Sequence, residues 1–327
     1  MSFNMRAETD PPDIQKNSVL NGRWSGETYR IIQHLGTGAN GKVYLVWRRQ
    51  SRVALKIGVD ATAIALEYEH LREIAEKINN AGVVPELFEL EDVVVHGVTY
   101  PVLVMEWIDG VDVEQFVLQR GDLWVAVCLW KIIRLIDTLH QQGFVFCDIK
   151  PGNLLFDLQS AEPRLVDFGG VTPIGQAVRE FTEMYDRAWW GRGSRKADVA
   201  YDTFACAMLG MQLACPISKG ELERLQKKSP NERSAFLDQR LHTTWKQDDL
   251  RIALQPALSG TARLASLRIA LAPLLQRTAH PTKTERVAIH DGRLNRRRRF
   301  DATDWGLLVS VLAFTLAMCT LWWIGTL

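Results

Sequence analysis

Four short runs of the chain carry residue types suited to handling phosphate. Gly36, Gly38 and Gly41 lie in Gly36-Thr37-Gly38-Ala39-Asn40-Gly41-Lys42-Val43. A backbone without Cβ atoms can come close to the phosphates of a nucleotide there. Lys56 ends Val53-Ala54-Leu55-Lys56, where apolar neighbours disfavour a solvated edge lysine and leave its charge for the α- and β-phosphates. The third run is Asp148-Ile149-Lys150-Pro151-Gly152-Asn153 and the fourth is Asp167-Phe168-Gly169. A glycine-rich run alone is weak evidence, because loops collect glycine for many reasons. Four runs in this order with one chemical purpose are not a chance assembly.

The elements that must position them follow from periodicity. From Trp24 to about Val104 the sequence predicts short β-rich segments around one helix, with strands at 53–57 and 100–105 and a helix over 61–79. After Gly110 the pattern turns helical, first over 123–141 and then from about 202 to 275. A buried lysine charge calls for a carboxylate from the helix that follows its strand, and Glu67, Glu69 and Glu73 are all of the right type. The partner must lie on the inward face, so residues four and seven further on should be apolar. For Glu67 these are Leu71 and Ile74, and for Glu69 they are Glu73 and Glu76. That favours Glu67, although its separation from Lys56 is short, with Glu69 and Glu73 as alternatives.

At 327 residues the chain has room for one large two-lobed domain and a tail. A hydrophobic share of 47% and a charged share of 24% are those of a foldable globular protein. Its five cysteines are scattered and form no Cys-x-x-Cys pair, which argues against a disulfide framework or a zinc site and suits a reducing cytosol. Residues 1–23, with Pro11-Pro12 and no apolar core, are expected to be a flexible leader without a signal peptide.

In its motifs and their order the chain resembles the bacterial Hanks-type serine/threonine kinases over roughly residues 24–275. The resemblance implies an α+β bilobal fold, with a β-rich N-lobe at about 24–107 and an α-helical C-lobe at about 108–276. It implies ATP and Mg²⁺ (or Mn²⁺) as cofactors and protein serine or threonine as acceptor. Val43 and Ala54 then belong to the nucleotide site with the three glycines and Lys56. Met105 would be the gatekeeper of the hinge Met105-Glu106-Trp107-Ile108, with the backbones of Glu106 and Ile108 bonding adenine. Asp112 would bind ribose, or simply be a turn residue after glycine. Asp148 would accept the substrate hydroxyl proton, Lys150 steady the γ-phosphate, and Asn153 and Asp167 hold the metal. Thr182 would bridge Asp148 and Lys150, and Asp202 would support the catalytic loop. Lysine at position 150 points to serine/threonine kinases among phosphotransferases of this fold.

Two departures stand out. Phe146-Cys147-Asp148 replaces His-Arg-Asp, and a neutral thiol at 147 cannot form the charge-assisted bonds that order a phosphorylated activation loop. Arg187-Ala188-Trp189 replaces Ala-Pro-Glu, so the usual glutamate–arginine brace is expected to be missing. Gly22-Arg23-Trp24-Ser25-Gly26-Glu27-Thr28-Tyr29, His140-Gln141-Gln142-Gly143, Tyr185-Asp186-Arg187 and Gly193-Ser194-Arg195-Lys196-Ala197 resemble the YabT-type membrane kinases of spore-forming bacteria. That suggests a role in sporulation.

The tail carries a different signal. Residues 277–304 form a basic juxtamembrane linker, with eight Lys or Arg between Arg277 and Arg299 against Glu285 and Asp291. Trp305–Leu327 then runs 23 residues without a charge. As a helix it would be roughly 35 Å long, enough to cross a bilayer, with Trp305 and Trp322-Trp323 at the two interfaces. The positive-inside rule puts the kinase domain in the cytoplasm and the C-terminus outward, so regulation is expected from inside. Arg293, Arg296, Arg297, Arg298 and Arg299 are polyanion-binding candidates, for non-specific DNA or for anionic lipid. A polyanion there could promote self-association and trans-autophosphorylation. A pseudokinase scaffold that binds without phosphoryl transfer is the alternative function, but no catalytic side chain is lost.

Overall fold

The computed structural model describes residues 11–38, 41–78, 82–242, 245 and 247–279. The N-terminal half builds a sheet from strands β1 (Val19–Asn21), β2 (Thr28–Gly38), β3 (Gly41–Arg48) and β4 (Ser51–Ile57), helix α1 (Ala61–Ile78), and strands β5 (Leu87–Val95) and β6 (Val98–Glu106). The strand order is β1-β2-β3-β4-β6-β5. A Gly22–Val93 bridge and the Arg23 N–H to Asp92 carbonyl bond (2.9 Å) join the two outer strands, so the sheet closes on itself. Alternating side chains explain how it fills. Leu20, Tyr29, Tyr44, Val46, Leu55, Val93 and Val104 pack inside. Ala54, Leu103 and Met105 point the other way, toward α1 and the lower core.

Within the expected flexible leader, residues 19–21 form strand β1 of this sheet, and Asn17 and Ser18 bond Ile31 of β2. Val19 and Leu20 alternate out and in, and Leu20 is buried. The following turn is pinned by the buried Glu91, whose oxygens accept from the Trp24 N–H (2.8 Å) and Ser25 N–H (2.7 Å). These bonds outweigh the effect of burial and hold the Glu91 carboxyl at about 2.

The lower lobe follows. It contains β7 (Val111–Asp112), α2 (Val113–Arg120), α3 (Trp124–Gln141), β8 (Phe144–Val145), β9 (Leu154–Phe156), β10 (Pro163–Leu165) and β11 (Thr172–Pro173). Helices α4 (Val199–Ala214), α5 (Lys219–Gln226), α6 (Pro230–Leu241), α7 (Asp248–Leu254) and α8 (Leu264–Ala279) complete it. Strands β10-β9-β7 form one small sheet and β11-β8 another, both antiparallel. Helix α4 is apolar almost all round, with every residue from Tyr201 to Met211 buried, as befits a central helix. It approaches α3 closely at Gly210, where a Cβ would stand 2.5 Å from Leu129 Cδ1.

Among the described residues no helix is long and apolar enough to cross a membrane. The charge-free run at 305–327 and the basic linker beyond Ala279 lie outside the described residues.

Candidate active site

The site begins with the pleat of β4. Val53, Leu55 and Ile57 fill the closed sheet, so Ala54 and Lys56 face the opposite side, where α1 and the lower lobe meet. Lys56 is 2% exposed, and its Nζ lies 2.7 Å from Glu67 Oε2 and 2.6 Å from Asp167 Oδ1. Glu67 is buried on the face of α1 shared with Leu71 and Ile74, as the spacing predicts. The alternatives are engaged elsewhere: Glu69 pairs with Arg72 and Glu73 with Lys77, on the exposed face. Burial alone would lower the Lys56 pKa, but the two carboxylates outweigh it and hold it above the usual lysine value. Burial pushes the Glu67 carboxyl up, whereas Lys56 and Lys150 overcome burial at Asp167 and pull it down. Asp167 is thus the carboxylate more firmly ionised.

Gly41 has φ +149°, and a Cβ there would stand 2.1 Å from the Ile57 carbonyl oxygen, so only glycine fits this close strand approach. A Cβ on Gly38 would come within 3.2 Å of Asp167 Oδ2, which places the hairpin directly over the metal-binding candidate. Val43 stands opposite both Gly36 and Lys56 in register, beside Ala54.

Below, Asp148 gathers three side chains. Its Oδ2 accepts from Lys150 Nζ (2.5 Å) and Asn153 Nδ2 (3.0 Å), and its Oδ1 accepts from Thr182 Oγ1 (2.9 Å). The fully buried Asp202 holds the preceding residues, accepting from the Phe146 N–H (2.8 Å), the Cys147 N–H (2.9 Å) and His140 Nε2 (2.9 Å). Cys147 has φ +68°, a left-handed conformation costly for a side chain with a Cβ. The Asp202 bonds are what compensate it. The helix cap here is Asp198, which accepts from the Tyr201 N–H, so Asp202 is free for the loop.

Among the described residues no three His, Cys, Asp or Glu side chains come together as a metal site. The donors that do converge fit a hard cation shared with phosphate. Asn153 spends its amide N–H groups on Asp148, which leaves the side-chain oxygen, and Asp167 supplies a low-pKa carboxylate. Mg²⁺ is usually held by one or two such oxygens plus substrate phosphates.

Comparison with known proteins agrees with this geometry. The protein kinase domain model matches residues 29–287. The chain belongs to the protein kinase family. It is 36% identical over 198 residues to the serine/threonine-protein kinase YabT of Bacillus subtilis, covering 60% of this chain and 58% of that one. It is also 27% identical over 162 residues to human Rho-associated protein kinase 1, covering 47% of this chain and 11% of the relative. The matches therefore span less than two thirds of either relative's length. Among solved structures, vaccinia related kinase 3 superposes with a TM-score of 0.58 at 12% identity, over 83% of this chain and 94% of the other. The Cydia pomonella granulovirus kinase PK-1 gives 0.57 at 16%, over 73% and 92%. Those two show the fold.

The expected hinge residues lie at the end of β6 and just beyond it. Met105 faces Ala54 in register, and Glu106 is anchored by its N–H to the Glu86 carbonyl (2.8 Å) and by Arg164 (2.7 Å). Ile108 follows outside the strand. Asp112 caps α2, its Oδ1 accepting from the Gln115 N–H (2.8 Å), so a ribose hydroxyl would have to use Oδ2. Asp112 is thus a strand residue and helix cap rather than the turn residue that was the other expectation.

The activation segment holds the residues that sequence reasoning missed. Cys147 packs with Val145, Val178, Ala197 and Tyr201 in a separate apolar cluster, and burial raises its thiol far above the usual value. The Val178 N–H to Arg195 carbonyl (2.9 Å) and Ala197 N–H to Gln176 carbonyl (2.8 Å) bonds tie the two ends of the segment together. The expected loss of the glutamate–arginine brace is made good by other residues. Arg187, 4% exposed, donates to Asp198 Oδ2 (2.7 Å) and to the carbonyls of Ser194, Lys196 and Gly260. Asp186, fully buried, accepts from the Ala188 and Trp189 N–H groups, Arg195 Nε and the Tyr201 hydroxyl. Arg233 adds a bond to the Trp189 carbonyl (2.6 Å) and stacks on its ring. An adjacent Asp-Arg pair set among Tyr185, Trp189 and Trp190 was the available signal, since charges amid large buried rings must be paired. Leu155 was also overlooked. It is half-buried between the buried Leu154 and Phe156 and stands opposite Asp112.

Proposed function

We propose that this protein is an active serine/threonine protein kinase that transfers the γ-phosphate of ATP to protein hydroxyls. The observation that carries the reading is Lys56 held between Glu67 and Asp167 above an Asp148 joined to Lys150, Asn153 and Thr182. Lys56 binds the α- and β-phosphates, and the hairpin backbone covers the β- and γ-phosphates. Asn153 and Asp167 hold Mg²⁺, which neutralises charge on the phosphates when bound. Asp148 orients the acceptor hydroxyl and takes its proton, and Lys150 meets charge on the transferred group. Thr182 keeps its own segment at bonding distance from Asp148. Met105, Glu106 and Ile108 take the adenine and Asp112 the ribose.

The charge-free run at 305–327 anchors the domain to the inner membrane face, and Arg293 with Arg296–Arg299 bind a polyanion, DNA or anionic lipid, that brings kinase domains together. Similarity to the Bacillus subtilis YabT kinase and the four motifs support the catalytic part, and charge pattern alone supports the rest. The test is the purified full chain with labelled ATP and a generic protein substrate, wild type against Lys56→Ala. Incorporation that Lys56→Ala abolishes supports the enzyme. Nucleotide binding without incorporation in the wild type would make it a scaffold.

A further inference from the structure

The glycine-rich hairpin has a weakness that its own sequence creates. Gly36 and Gly38 give the backbone access to phosphate, but ordering flexible residues costs about 1–2 kcal/mol each. A Cβ on Gly36 would meet nothing within 4 Å, so at that position only the pairing with Val43 holds the strand. Contacts on the outer side do hold the hairpin, and they come from residues 12–14.

Tyr44, opposite His34 in register, is 1% exposed, with its ring in the closed sheet. Its hydroxyl accepts from the Ile14 N–H (3.2 Å) and donates to the Pro12 carbonyl (3.3 Å). The His34 ring meets the Tyr44 ring edge-on at 5.2 Å, and His34 Nε2 lies 3.1 Å from Thr37 Oγ1, between Gly36 and Gly38. Lys42, opposite Thr37, places Nζ 2.7 Å from Asp13. Contacts thus run unbroken from Pro12 through Tyr44 and His34 to Thr37. The segment is itself anchored, because Ile14 packs on the sheet core and the Asn17 N–H bonds the Ile31 carbonyl (2.8 Å).

We infer that residues 12–14 are a strap that fixes the glycine-rich hairpin from outside and so sets nucleotide affinity, with Asp13, Lys42 and Tyr44 as positioning residues. The inference rests on the nucleotide-binding reading above. Preorganising a binding loop raises affinity by removing the cost of ordering it. Loss of the strap therefore weakens ATP binding and leaves the bound geometry, and hence kcat, intact.

The experiment measures binding of a non-hydrolysable ATP analogue with Mg²⁺ to the full chain, together with steady-state kinetics. Tyr44→Phe removes the hydroxyl and keeps the ring. Ile14→Pro removes the N–H that meets it, together with the Ile14 packing on the sheet, and leaves Tyr44 in place. Each is expected to raise the Kd and the ATP KM about 3- to 10-fold, the effect of one or two hydrogen bonds. The kcat and the KM for protein substrate should stay unchanged. Asp13→Asn, at an exposed pair, should weaken binding about twofold. If Asp13 acted only as a negative charge near the phosphates, that substitution would tighten binding instead, and the strap would be wrong. Analogue affinity unchanged in both Tyr44→Phe and Ile14→Pro, with only the Tm lowered, would also overturn it. A wild-type chain that binds no analogue would break the reading of the cleft itself.

Discussion

In the cleft, charge is set against charge: Lys56 against Glu67 and Asp167, Lys150 against Asp148. In the activation segment, the place where the resemblance leads one to expect a charged phosphate pocket is filled by Val145, Cys147, Val178, Ala197 and Tyr201. Of the charges nearby, Asp186 and Arg187 are buried and bonded within the fold, and Arg195 pairs with Asp186 and stacks on the Phe181 ring. The groups set to meet a charged substrate stay charged, whether buried like Lys56 or partly accessible like Asp167 and Lys150. Groups whose only task is to hold a shape are replaced by packing and internal hydrogen bonds. The difference predicts that order in this segment is built into the fold rather than supplied by modification.

The sharpest way to break the catalytic half of that contrast is Asp148→Asn, which keeps the size and most bonds but removes the proton acceptor. It should lower kcat by about 10²–10⁴-fold with little change in stability, read by steady-state assay and thermal melting. Near-normal turnover would remove Asp148 from its role. On the structural half, Arg187→Met leaves Asp198 and three carbonyls without their donor. It should cost about 2–4 kcal/mol in urea unfolding, because three carbonyls lose their donor at roughly 1 kcal/mol each and the more exposed Asp198 adds less.

Glu91→Gln comes next, at about 2 kcal/mol near neutral pH, because hydrogen bonds to a buried carboxylate are among the stronger ones. The folded Glu91 carboxyl lies at about 2 against an ordinary 4.5. Its stabilisation is therefore fully present above about 4.5 and lost as the pH falls toward 2. The gap between variant and wild-type melting temperatures should narrow below that point, and a gap that widened would refute the assignment. The smallest effect belongs to Cys147→Ala, which trims one atom from the apolar cluster. It should cost about 1 kcal/mol and leave kcat within a few-fold of wild type.

The cleft was legible in the sequence because each of its parts carries a local mark. Lys56 stands in an apolar strand, and Glu67 is the acid whose helical neighbours Leu71 and Ile74 are apolar. Asp202 was legible through the resemblance. The activation segment was not, because Arg187 finds its partners at Asp198 and Gly260, and Cys147 its neighbours at Val178 and Tyr201. Such contacts depend on the whole lobe being assembled. Position 187 could be read only as a missing brace, when it is a different one. The start of the chain was misjudged for the same reason. The polar run before Trp24 looks like a leader, yet Leu20, Asn17 and Ile14 are fixed by Tyr29, Ile31 and Tyr44 on strands further along.

The central claim, a kinase whose activation segment is ordered without phosphate, is tested most directly by treating the purified full chain with a phosphatase. The phosphatase is then removed, and the initial rate of the first substrate phosphorylation is measured. An initial rate equal to that of the untreated protein is the predicted result. An inert dephosphorylated protein that recovers only as Thr172 or Thr182 becomes modified would contradict it. It would mean that the apolar cluster around Cys147 does not hold the segment by itself.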